Sequence, residues 1–475
     1  MTAVALVIGG LGVAAGPAAA AACDPTIPEV GSLDGGGGPD VPVGMPDLDE
    51  LDVNYSAADQ RNLKRADLTA LNIPARFGAA MTTIDTDRDG CSELIVGAPG
   101  ETAEGERGAF VVLKGSDTGL TTAGAVLETA PTAGDGFGAT LASASRYIAA
   151  QPWTDSTVDL WVGAPNRTVR GVVGAGAVDH YVFDNTGSLS LLGTLTAYSL
   201  GGKLYKGAHF GAALNARGIN TVAIGAPGDT VGGHGNAGSV WQFRLTDGGF
   251  PTQVKHWTQN SKGFPGAAET GDRFGYSLAG ATTLLVGTPY EDIGKATNTG
   301  MVTAITASGK VTNYTQDSPG VPGADETGDH FGAALTTGTW LSCQEVSTVA
   351  VGVPGENIGS TKDAGSVVLM PSKGCAGALL TQGRGKPLGG LAETGDAVGS
   401  ALTVLRGRDD FDEDVRDRLV IGAPGESVGS AAGAGVVAVR GDHTVTTYTY
   451  AGSSSPHRKY GAVLAVPGGG YMYSN

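Results

Sequence analysis

A two-part motif recurs along this chain at near-regular intervals. Phe-Gly stands at Phe77, Phe137, Phe210, Phe274 and Phe331, with a Val-Gly variant at Val398 and Tyr-Gly at Tyr460. Gly-x-Pro follows each of the first six, closing at Pro99, Pro165, Pro227, Pro289, Pro354 and Pro424. Successive Phe-Gly positions are 57 to 73 residues apart. A period of that size means one supersecondary unit copied around or along an axis. It overrides the two or three globular domains that 475 residues would otherwise suggest.

Each unit follows one plan. A short alternating run comes after Phe-Gly, such as AALNA at 212–216. A second run ends in Gly-x-Pro: LIVGAP, LWVGAP, VAIGAP, LLVGTP, VAVGVP and LVIGAP. These aliphatic, β-branched runs read as buried strands. A third strand opens at Gly176, Gly238, Gly300, Gly365 and Gly435, each 11 residues past the proline. A Thr-rich fourth strand follows (257–261, 314–318), and a loop such as ETGDRFG returns to the next unit. No helical apolar face recurs. Residues 62–73 would pass for a short helix, but they occupy the place of an outer strand. With 79 Gly and 23 Pro, turns are frequent and long helices excluded.

Four-stranded antiparallel units too small to bury a face alone predict a β-propeller. In these motifs the chain resembles the FG-GAP repeat family, the propeller at the head of integrin α subunits, which also occurs in exported bacterial proteins. The resemblance covers residues 77 to about 467. It implies an all-β fold of seven four-stranded antiparallel blades, matching the seven Phe-Gly-like positions. The seventh unit is truncated after YGAVLAVP, so residues near 52–75 are expected to supply its outer strands. The expected domains are 1–22, a signal peptide or signal anchor; 23–58, a flexible Pro/Gly/Asp-rich linker; and 59–475, the propeller.

Residues 1–22 are apolar and end in small residues, like the core and cleavage site of a signal peptide, although a basic leading segment is missing. Export is the expectation, to the cell surface or beyond, with no membrane span in the mature protein. Four cysteines in an exported chain fit two disulfides. Cys343 and Cys375 share a repeat and are the economical pair. That leaves Cys23 with Cys91, unless Cys23 is a lipidated first residue.

Between the first two strands lies an acidic loop. Asp85, Asp87, Asp89, Cys91 and Glu93 take positions 1, 3, 5, 7 and 9, with Gly90 at position 6. Alternate carboxylates and a position-7 carbonyl supply the oxygens that Ca²⁺ requires, and the glycine turns the backbone around the ion. The family resemblance implies the same: a structural Ca²⁺. Asp410, Asp412 and Asp414 echo the pattern in unit six, but position 9 is Arg418, which cannot ligate a cation. Asp412→Ala is therefore expected to leave a Ca²⁺ response nearly intact.

Two other motifs have bland explanations. Gly425-Glu426-Ser427-Val428-Gly429 matches a nucleophile elbow, but it follows Gly-Ala-Pro and aligns with GDTVG, YEDIG and GENIG, where no serine recurs. Arg440-Gly441-Asp442 falls at a turn that favours Gly and Asp in any case. A net charge of −17 argues against nucleic acid as a partner.

The expected function is a non-catalytic, integrin-α-like adhesion or binding module for an extracellular protein or glycan. The family's ligand face is that of the loops after Gly-x-Pro, which carry Glu101, Asp229, Glu291, Asp292, Glu356 and Glu426. The alternatives are a secreted enzyme or enzyme accessory, since such propellers accompany phospholipases, or a structural protein of the cell envelope. About 50 residues of non-repeat sequence are too few for a separate catalytic domain, and no nucleophile–base–acid set is visible.

Overall fold

The computed structural model describes residues 23, 32–33, 40–54, 61–101, 105–146, 157–216, 220–339, 348–405 and 417–467, apart from 373, 429, 432, 434, 441–444 and 449–458. Residues 1–22, the acidic echo at 410–414, and Gly441 and Asp442 lie outside them. Seven antiparallel sheets follow one another along the chain, six of four strands and one of five. Blade one runs Ala80–Ile84, Glu93–Ala98, Ala109–Lys114 and Thr121–Thr129 from the inner strand outward, and Val466–Pro467 adds a fifth strand parallel to the innermost. Among the described residues the only helices are 3-10 turns at Pro46–Leu48 and Arg65–Leu71. No described helix is long and apolar enough to cross a membrane.

The repeated motif builds the contact between blades. Phe77, Phe137, Phe210, Phe274, Phe331 and Tyr460 are fully buried, and Val398 nearly so. The glycine that opens each third strand bridges to the next unit's Phe-Gly position, as Gly176 does to Phe210 and Gly238 to Phe274. The glycine of Gly-x-Pro packs against the glycine of the following Phe-Gly. A Cβ on Gly97 would lie 2.0 Å from the Gly138 carbonyl oxygen, and one on Gly163 2.3 Å from that of Gly211. Only a residue without a side chain permits that approach near the axis.

The chain termini close the ring together. The last blade takes its innermost strand from Val463–Leu464 and the other three from Val41–Met45, Glu50–Asn54 and Arg61–Lys64. The Asn54 side chain donates to the Tyr460 hydroxyl at 2.8 Å, tying one end of the chain to the other. Residues 41–54 are therefore blade, where a linker through residue 58 was expected. Their sequence holds a seventh Gly-x-Pro, Gly44-Met45-Pro46, in the same register: a Cβ on Gly44 would lie 2.1 Å from the Gly78 carbonyl oxygen. Residues 62–73, in the place expected of an outer strand, hold the end of the outer strand Arg61–Lys64 and then the 3-10 turn Arg65–Leu71. The Thr-rich segments 257–261 and 314–318 begin where the fourth strands end, at Trp257 and Tyr314, and form the turns beyond them.

Candidate metal centre

The acidic loop joins the inner strand of blade one to its neighbour. Arg88 and Gly90 adopt positive φ of 64° and 92°, which curls the loop back on itself. The Asp85 carboxylate accepts from the Arg88 N–H at 2.6 Å and the Gly90 N–H at 3.2 Å. Glu93, fully buried at the start of its strand, accepts from the Thr86 N–H at 2.6 Å and from the Thr86 hydroxyl. Carboxylate oxygens of Asp85, Asp87 and Glu93 come within 4.8 Å of one another. Asp87 Oδ1 and Glu93 Oε1 are buried and accept no hydrogen bond from the protein.

Electrostatics record the crowding. Burial first, and the adjoining Asp87 charge second, push the Glu93 carboxyl up to about 8. Burial pushes Asp85 up to about 6, against the two backbone N–H groups that favour its charge. Lys114 faces the cluster from the third strand of the blade. Lys114 Nζ lies 2.6 Å from Asp87 and 3.9 Å from Glu93. Convergent oxygens with unfilled acceptor capacity fit a hard cation, which takes six to eight oxygen ligands. When bound, such an ion would neutralise the carboxylates and hold the loop closed.

One of the four carboxylates expected in this set stands apart. Asp89 turns to the Cys91 N–H at 2.8 Å and does not join the other three carboxylates. The Cys91 side chain is paired with Cys23, with Cα atoms 5.2 Å apart, so the N-terminal segment is fastened across blade one. Ser92 N–H donates to the Ser32 carbonyl at 2.7 Å, and Leu33 is buried in the blade's core. Cys375 is likewise disulfide-bonded, whereas Cys343, the other half of its expected pair, lies outside the described residues. Lys114, 27 residues from Asp87 in sequence, was not legible in the motif. Its signal is a lone charge ending the otherwise apolar strand AFVVLK.

On the opposite face, the loops after Gly-x-Pro hold Glu101, Asp229, Glu291, Asp292, Glu356 and Glu426. Glu101 and Asp292 are exposed. Asp229 is buried and accepts from the Ser239 hydroxyl at 2.7 Å. The other three each accept from a glutamine of the preceding blade: Gln259 to Glu291 at 2.6 Å, Gln316 to Glu356 at 2.6 Å and Gln382 to Glu426 at 2.5 Å. Ser427 sits in a loop closed by a Val428–Ala431 bridge, as its counterparts are by Val231–His234 and Ile358–Thr361. That loop leads to a strand at Val436–Arg440, not to the helix a nucleophile elbow requires.

Seven blades of four antiparallel strands define a β-propeller. The FG-GAP repeat family profile matches residues 77–113, the unit that carries the acidic loop, and the paired glycine contacts recur around the ring. The chain is a seven-bladed β-propeller that carries an FG-GAP repeat at residues 77–113. No curated protein matches it in sequence. Among solved structures it is similar to Sqt1 from Chaetomium thermophilum, with 14% identity and a TM-score of 0.40 over 80% of this chain and 73% of that one. It is also similar to a D477G ACO/RPE65 chimera, with 10% identity and a TM-score of 0.40 over 88% of this chain and 86% of that one.

Proposed function

We propose that this propeller is an exported, integrin-α-like binding module, stabilised by Ca²⁺ in blade one, that holds an extracellular protein or glycan on the face of the Gly-x-Pro loops. The observation that carries the calcium reading is the convergence of Asp85, Asp87 and Glu93 with two buried oxygens that no protein group satisfies. The Cys23–Cys91 disulfide supports an oxidising destination. Ring closure from both termini leaves a rigid disc whose variable parts are loops, the arrangement in which scaffolds carry recognition.

Extracellular Ca²⁺ sites of this kind bind with dissociation constants of about 10⁻⁴–10⁻³ M. At millimolar Ca²⁺ the linkage is worth roughly 0.5–1.5 kcal/mol. The test is thermal unfolding with and without Ca²⁺. Wild type should melt higher in Ca²⁺, and Asp87→Ala should lower that rise by the share of the blade-one site; equal rises in both would show that the loop is only an acidic turn. A protein and glycan array probed with and without Ca²⁺ tests the binding reading. Absence of any retained ligand in both conditions would sink it in favour of an envelope spacer.

A further inference from the structure

Three consecutive blade junctions share a polar cluster that the calcium loop does not explain. Each combines a glutamine just past a fourth strand, an E-T-G-D loop, and a glutamate two residues after Gly-x-Pro of the next blade. The sets are Gln259, Glu269, Asp272 and Glu291; Gln316, Glu326, Asp329 and Glu356; and Gln382, Glu393, Asp396 and Glu426. In each, the aspartate accepts from its own loop's glutamate N–H, and the glutamine Nε2 donates across the junction.

What remains is acceptor capacity without donors. Gln316 is 1% exposed and Asp329 0%, yet Gln316 Oε1 and Asp329 Oδ1 are buried without a partner. Gln382 Oε1, Asp396 Oδ1 and Gln259 Oε1 are in the same condition. The Gln316 amide is aimed into its cluster by the bond to Glu356. Among the described residues no Lys or Arg makes an ion pair with any of these carboxylates. Arg273, beside Asp272 in sequence, lies over the Tyr290 ring instead, at 4.6 Å.

The junction between blades one and two shows what such a cluster wants. Its aspartate, Asp135, stands two residues before Phe137, as Asp329 does before Phe331. There the residue two past the proline is Arg167, not glutamate, and the glutamine position is Ala130, which leaves room. The Arg167 guanidinium donates to Asp135 at 2.9 Å and to Asp179 at 2.9 Å. The chain thus places its own cation at this point in one junction. In three others it places oxygens alone.

We infer that each of these three junctions holds a hard cation of the Ca²⁺ class, bound between blades by the Gln Oε1, the Asp carboxylate and the following blade's Glu. An ion there does what Arg167 does between blades one and two: it neutralises carboxylates that face each other and joins adjacent sheets. Burial holds Glu291 up to about 8 and Asp329 and Glu426 up to about 7, and in each the charge of the facing carboxylate pushes the same way. Oxygen-only donors select Ca²⁺ or Mg²⁺ over softer metals.

The experiment is equilibrium dialysis of the whole chain against millimolar Ca²⁺ at physiological ionic strength, with bound metal counted by mass spectrometry. Asp87→Ala serves as background, so the blade-one loop cannot contribute. The expected result is three ions per chain in that background and none after adding Asp272→Asn, Asp329→Asn and Asp396→Asn. Gln316→Ala with Glu356→Arg, which copies the Ala130–Arg167 solution, should lose one ion and keep or raise the melting temperature without Ca²⁺. That variant also decides the matter if the triple variant fails to fold. No bound ion in the Asp87→Ala background, or a count that neither set of substitutions lowers, overturns the proposal. The clusters would then be satisfied by protons.

Discussion

Blades one and two place a carboxylate at the same point, four residues before the glycine of Gly-x-Pro: Glu93 in one, Asp159 in the other. Both are buried. In blade two the chain neutralises its own acid. Arg146, ending the inner strand, reaches both oxygens of Asp159 at 2.9 and 2.6 Å, and His180 lies 2.7 Å away, stacked 3.6 Å from the Trp161 ring. In blade one the inner strand ends instead in an acidic loop, and Glu93 meets Asp85 and Asp87 with Lys114 beside them. One register position can therefore form an internal ion pair or join a cluster of carboxylates. The choice depends on whether the neighbouring strand brings a guanidinium or more carboxylates.

The comparison is most sharply tested in blade two. Arg146→Ala leaves Asp159 buried without its bidentate partner, a loss of about 3–5 kcal/mol. The midpoint of denaturant unfolding should fall accordingly and by the same amount with or without Ca²⁺. A Ca²⁺-dependent loss would mean that the two blades are not distinct solutions.

Next in size is the crosslink that only blade one carries between its acidic loop and the N-terminal segment. Cys91→Ala should cost about 2–4 kcal/mol, read as a lower melting temperature that reductant no longer shifts further through this bond. It should also weaken Ca²⁺ binding, because the loop is no longer pinned at its seventh position. Unchanged Ca²⁺ affinity would show that the loop holds its shape without the tether.

Acidity gives a third handle. A carboxyl that folding raises to about 8 is favoured in the native state only while protonated. Without Ca²⁺, stability should therefore fall as pH climbs from the ordinary glutamate range toward 8. Glu93→Gln should lessen that slope and the Ca²⁺ response together. A slope of the same steepness in wild type and Glu93→Gln would assign it to other groups.

The smallest effect belongs to Lys114. Its pair with Asp87 is partly solvated, so Lys114→Met should cost at most about 1 kcal/mol without Ca²⁺. Because the ammonium occupies oxygens a metal would use, the same change should tighten Ca²⁺ binding several-fold by calorimetric titration. Weaker binding would make Lys114 a support of the site and not a competitor.

Much of the architecture was legible because it is local and repeated. Phe-Gly and Gly-x-Pro mark strand ends, and their recurrence counts the blades. The closing strands were partly hidden, since Gly44-Met45-Pro46 sits in a stretch whose Gly and Pro content imitates a linker. The Asp-x-Asp-x-Asp pattern singled out this loop, but not which carboxylates converge in it: Asp89 faces the backbone of Cys91, while Lys114 enters from another strand.

By itself, then, the sequence determined the strand order, the blade count and the position of the acidic loop, since all three follow from backbone period and from residues adjacent along the chain. Tertiary structure alone decided the charge pairings. Lys114 with Asp87, Arg146 with Asp159, Arg167 with Asp135 and Gln316 with Glu356 join residues 13 to 40 positions apart. Their meeting depends on which strand or blade lies alongside, and a buried carboxylate takes whatever partner that packing places within hydrogen-bond reach.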